Sequence, residues 1–148
     1  MPVWRLTPRR RLERHGRLAS WISILASASI MLNRIVKSTR HHVAVLVTAP
    51  DAEVARRLAQ SALQDRLCAC AQIVTGLESH YWWTGKLGRS SEVLVIFKTL
   101  RKQVADLEAV IRREHPYETP QFVVMPIAAG SAAYLDWVVA ETRVTRRR

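Results

Sequence analysis

Apolar residues recur along the chain with two different periods, and the changes of period mark out the elements. Val43 to Val47 is a short β-branched apolar run closed by Thr48, Ala49 and Pro50, which predicts a buried strand followed by a break. Pro50 and Asp51 then open a helix: Asp51 is placed to cap the first turn, and Ala55, Leu58, Ala59, Ala62 and Leu63 recur at helical spacing. Arg56, Arg57, Gln60 and Gln64 fall on its other face. Cys68 to Trp83 is rich in β-branched and aromatic residues and is broken at Gly76, Gly85 to Ser90 supplies turn chemistry, and Glu92 to Thr99 is a continuous apolar run of strand length. These segments predict a long hairpin. Helical spacing returns at Leu100, Val104, Leu107 and Ile111 until Pro116 ends it. Phe122 to Ile127 reads as a strand that Pro120 and Pro126 confine to an edge, and Ser131 to Arg143 as a short helix carrying Tyr134, Leu135, Val138 and Val139.

The predicted order is β-α-β-β-α-β with a C-terminal helix, an α+β arrangement of the ferredoxin-like type. Such a sheet buries one face under its two helices and leaves the other open. Val93 to Phe97 has no polar alternation to suit it to water, so the open face calls for cover by other copies of the chain.

Charge separates this domain from its ends. Residues 1–40 hold nine basic side chains (Arg5, Arg9, Arg10, Arg11, Arg14, Arg17, Arg34, Lys37 and Arg40) against Glu13, whereas residues 41–145 hold eleven basic and eleven acidic ones. Arg146, Arg147 and Arg148 supply the rest of the net charge of +11. The expected division is an extension over 1–40, a folded domain over 41–143 and a basic tail over 144–148. A nucleic-acid protein should carry its positive charge on the docking surface of the fold, so nucleic acid is not an expected partner. In the extension, an Arg-rich opening precedes the apolar run Leu18 to Leu32, which is short for a membrane span and interrupted by serines. It reads as a targeting segment or as an upstream extension outside the fold, and a membrane is a partner only if the segment is retained as an anchor. The expected location is cytoplasmic, with organellar or exported as the alternative.

Cys68 and Cys70 are too close for a disulfide within a regular strand, would share one sheet face, and lack the second pair a structural zinc site needs. His115, Pro116, Tyr117 and Glu118 lie where a helix gives way to a strand. An imidazole and a carboxylate so close together suit copper or zinc, and Cys70 offers a softer thiolate. Each also has a structural reading: Cys70 as a small core residue, His115 as a helix cap, Glu118 in a salt bridge. Tyr81, Trp82, Trp83 and Trp137 suit core or interface packing, and Lys86 solvated charge or an inter-subunit pair. No phosphate loop, nucleophile triad or dinucleotide fingerprint is present, and no enzyme is expected.

Six blocks in order resemble the CutA family: T-A-P-D at Thr48 to Asp51, R-L-C-A-C-A at Arg66 to Ala71, the residues Ser79, Tyr81, Trp83, Gly85 and Lys86, E-V-L-V-I-F-K-T at Glu92 to Thr99, H-P-Y-E-x-P at His115 to Pro120, and Tyr134, Leu135 and Trp137. The resemblance implies a homotrimer linked to tolerance of divalent cations, copper above all, with Cu²⁺ or another divalent cation weakly bound. It places Cys70 and His115 on the family's proposed metal residues, with Glu118 nearby, and puts Tyr81, Trp83, Lys86, Tyr117 and Trp137 at inter-subunit clefts or interfaces. Some members carry a further cysteine where this chain has Val47. The alternative function is a trimer that binds a small molecule in those clefts as a sensor or scaffold.

Overall fold

The computed structural model describes residues 36–142, and the readings for residues 1–35 and 143–148 lie outside it. The elements run β1 (Val36–Ser38), β2 (His42–Ala49), α1 (Ala52–Gln64), β3 (Cys70–Trp83), β4 (Lys86–Leu100), a 3₁₀ turn (Arg101–Gln103), α2 (Val104–Glu114), β5 (Val123–Pro126), β6 (Ala129–Ser131) and α3 (Ala132–Glu141). The four principal strands form an antiparallel sheet in the order β3-β4-β2-β5, the ferredoxin-like arrangement. The boundary expected at His41 moves upstream, because β1 pairs with β6 from Val36↔Ser131 to Ser38↔Ala129.

Alternation decides which face is buried. Val43, Val45, Val47 and Ala49 of β2 and Val93, Val95 and Phe97 of β4 point to one side, where Ala55, Leu58 and Ala62 of α1 and Leu107, Val110 and Ile111 of α2 complete the core. Asp51 caps α1 as its side chain predicts: Oδ1 accepts from the amides of Glu53 and Val54, both at 2.9 Å. The helical period expected from Leu100 begins only after the 3₁₀ turn, since Leu100 is the last residue of β4. On the opposite face α3 covers one end of the sheet, packing Val138 with Leu100 and Ala69. The rest of that face stays open. Val74, Val123 and Met125 are exposed there, and at the hairpin Trp82 and Leu87 reach 70% and 71% exposure.

The hairpin turn is tighter than the sequence suggests. Only Thr84 and Gly85 form it, with φ of 47° and 77°, the left-handed pair that a two-residue connection between twisted strands requires. Gly88 to Ser90, expected as loop, belong to β4. Gly88 has a steric reason to be glycine: a Cβ there would come within 2.7 Å of the Tyr81 ring. Gly76, with φ of 81°, sits where the β3–β4 register slips between Val74 and Leu77.

Candidate functional site

The expected site residues fall into two groups and one isolated side chain. Tyr81, Trp83, Tyr117 and Glu118 line a cleft of about 650 Å³, shared with Thr48, Ser79 and Glu92, on the open side of the sheet. Cys70 and Trp137 belong to a second group near α3. Lys86 stands apart at the hairpin turn, across from Trp83.

His115 does not line the cleft but bonds to two residues that do, Thr48 and Tyr117. It follows the last turn of α2, is 7% exposed, and has both ring nitrogens in use. The Tyr117 amide donates to Nδ1 at 3.1 Å, which leaves the ring hydrogen on Nε2, and Nε2 donates to the Thr48 carbonyl at 2.8 Å. The imidazole therefore ties the loop after α2 to the end of β2 and sets the Tyr117 ring against its own, 5.0 Å away and edge-on. His115 is the C-cap residue of α2, its amide donating to the Ile111 carbonyl at 2.9 Å, while its ring makes its bonds outside the helix. A metal could take either nitrogen only by displacing one of them.

Two carboxylates reach the cleft. Glu118 is exposed and carries no ion pair among the described residues. Glu92 is largely buried and accepts a hydrogen bond from Ser79 Oγ at 2.6 Å. Burial, then the neighbouring Glu92 carboxylate, raises the Tyr117 phenol above its usual range, so it stays a donor at neutral pH. Glu92 has no place among the sequence-based candidates; the signal was a charged residue opening an otherwise apolar strand.

Cys70 lies at the start of β3 opposite Lys98, half-buried, close to Tyr134, whose ring lies 5.5 Å from that of Trp137. Burial pulls the Lys98 ammonium below its ordinary range, Cys70 opposing, and its Nζ donates to Gln72 Oε1. Cys68 does not share the face of Cys70. It precedes β3, turns into the main core, and burial together with Cys70 pushes its thiol up to about 12, so it is no thiolate at neutral pH.

Within one subunit Cys70 is remote from His115 and Glu118. Cys70 pairs with Lys98, whereas Thr48, to which His115 is tied, pairs with Leu94, four residues along β4 or about 13 Å. Metal–ligand bonds of about 2 Å cannot bridge that gap. Among the described residues no three His, Cys, Asp or Glu side chains gather closely enough to hold a metal ion, and no helix is long and apolar enough to cross a membrane.

The family model described as CutA1 divalent ion tolerance protein matches residues 43–141. The chain is 41% identical over 101 residues to the divalent-cation tolerance protein CutA of Pectobacterium atrosepticum, covering 68% of this chain and 92% of that one. It is 36% identical over 128 residues to the chloroplastic protein CutA 1 of Oryza sativa, covering 86% and 72%. CutA from Synechococcus elongatus, solved in complex with a Bis-Tris molecule, superposes with a TM-score of 0.67 at 31% identity over 72% of this chain and 98% of that one.

The His115 bonds carry a prediction. His115→Ala leaves the Thr48 carbonyl and the Tyr117 amide without a partner and should lower unfolding stability by about 1–3 kcal/mol, in the absence of any metal. Urea denaturation in the presence of a chelator checks this; stability equal to that of the wild type would show that the ring does not hold the loop.

Proposed function

The chain belongs to the CutA1 divalent ion tolerance family, and from that membership we propose that it acts in divalent-cation tolerance as a homotrimer that binds divalent metal, Cu²⁺ included, weakly and without catalysis. The carrying observation is that the donor groups lie singly. Cys70 pairs with Lys98, whereas Glu118 lines the cleft with Thr48, which pairs with Leu94 about 13 Å along β4, so each subunit offers part of a ligand set. Assembly through the open, apolar side of the sheet would bring donors from different copies together. Cys70 supplies the soft sulfur that suits copper and Glu118 an oxygen, and His115 joins only by giving up a bond to Thr48 or Tyr117.

Val74, Val123 and Met125 on that side motivate the assembly, since fully burying a side chain of this kind yields about 1.5–3 kcal/mol. Light scattering of the full chain at micromolar concentration should give the mass of a trimer. A monomer would overturn the assembly and the shared metal site with it.

Titration with Cu²⁺ by calorimetry, in a buffer that does not chelate, tests the donors. Cys70→Ser and Glu118→Gln should each weaken binding at least about tenfold, the lower end of the loss seen for an outer-shell partner. Unchanged affinity in the double variant would remove both residues from the site.

The cleft favours a second reading. Carboxylates at Glu92 and Glu118 among the rings of Tyr81, Trp83 and Tyr117 suit a small organic cation, and the Synechococcus relative was solved with an amine of that kind. In this reading the trimer is a sensor or scaffold that responds to such a ligand. Bis-Tris in millimolar excess should raise the melting temperature of the wild type and do so less for Glu118→Gln. Equal shifts in the two proteins would exclude the cleft as the place of binding.

A further inference from the structure

A second concavity opens at the other end of β2. It has a volume of about 730 Å³ and lies by His42, six residues from Thr48 and so about 20 Å along the strand from the aromatic cleft. Four of its lining residues are lysines or arginines, Lys37, Arg40, Arg101 and Lys102, and two are histidines, His41 and the buried His42. No acidic residue lines it.

These groups are held in place by the backbone beneath them. The Arg101 amide donates to the His41 carbonyl at 2.7 Å, the Thr39 amide to the Ala128 carbonyl at 2.9 Å, and the Ile127 amide to the His42 carbonyl at 3.0 Å. The buried His42 ring locks the floor, its Nε2 donating to the Leu135 carbonyl at 2.9 Å and its Nδ1 accepting from Thr39 Oγ1 at 2.6 Å. Two segments far apart in sequence, 37–41 and 100–102, thus present their cations to one hollow.

Among the described residues only Lys37 of these has an acidic partner, Asp136 at 3.0 Å. The remainder of the chain has little to offer as a counter-charge, since residues 1–35 contain one acid, Glu13, and residues 143–148 none. Like charges fixed in a concave wall repel one another and raise the local potential for anions. A single small anion would fill neither the volume nor the charge. We propose that this pocket binds a compact polyanion carrying two or more phosphate groups, with Arg101 and Arg40 as fork-shaped donors and Lys102 and Lys37 as point charges. The site is independent of the metal and cleft readings, because it shares no residue with either.

The full chain is the sample, because its Arg-rich ends are the rival explanation for any phosphate binding. Calorimetric titration with tripolyphosphate, with a nucleoside triphosphate and with sulfate is run at about 0.15 M ionic strength, where screening limits loose attraction to within about 8 Å. Three proteins are compared: the wild type, the pocket variant Arg40→Ala/Arg101→Ala/Lys102→Ala, and the tail variant Arg146→Ala/Arg147→Ala/Arg148→Ala. All three pocket positions are exposed, so the pocket variant should keep the wild-type circular dichroism and light-scattering mass. Tripolyphosphate should bind the wild type and the tail variant equally and the pocket variant at least about tenfold more weakly, as loss of charge-assisted contacts implies. Tighter binding of the nucleoside triphosphate than of tripolyphosphate would assign the ligand to nucleotides, and the reverse to inorganic polyphosphate. Equal affinity in the pocket variant, loss in the tail variant, or sulfate binding as tightly as tripolyphosphate would overturn the proposal.

Discussion

The ladder between β2 and β4 is the constraint on which the molecule depends. It runs without a slip from His42↔Leu100 to Ala49↔Val93, and a shift of one residue would turn Val43, Val45 and Val47 from the core to the open face. The same register fixes both concavities. At one end it brings Thr48 beside the strand that carries Glu92; at the other it sets His41 and His42 against Leu100 and Arg101. The helices cover one face of this ladder, but what lies at its two ends is decided by which residues follow the last paired ones.

The elements were legible in the sequence because period and breakers agree. Asp51 at the head of α1, the β-branched runs of β2 and β4, and the prolines around β5 each report a local preference, and the order of those preferences is enough for the ferredoxin-like topology. The hairpin turn was misplaced for a physical reason. Gly88 and Ser90 resemble loop chemistry, yet here small side chains make room beside the paired strand, where the Tyr81 ring lies over Gly88. Nor could β1 be read: three residues at the end of a basic segment carry no period, and only pairing with β6 makes them a strand.

The site was legible in part. Tyr81, Trp83, Tyr117 and Glu118 do meet at one cleft, because the motif blocks that hold them lie near the same end of the sheet, whereas Trp137 lies apart on α3. Glu92 was missed because its burial depends on Ser79 across the hairpin, a partner that spacing along the chain does not reveal. His115 was recognised as important, but its commitment to Thr48 and Tyr117 depends on three segments meeting. Charge counting treated Lys37 and Arg40 as tail residues, whereas the fold draws them in beside Arg101 and Lys102. A neutral total over a domain thus coexists with an uneven distribution over its surface.

The close approach at Gly88 has a consequence for how the protein can vary. Position 88 is on the surface hairpin, away from the core, where substitution is ordinarily tolerated. Yet the ring of Tyr81 occupies the space a methyl group would need, and Tyr81 is itself a wall of the cleft. Any larger residue must displace that ring and so reshape the opening. The hairpin therefore contains a position that lines no cleft itself, yet sets the shape of one through its neighbour.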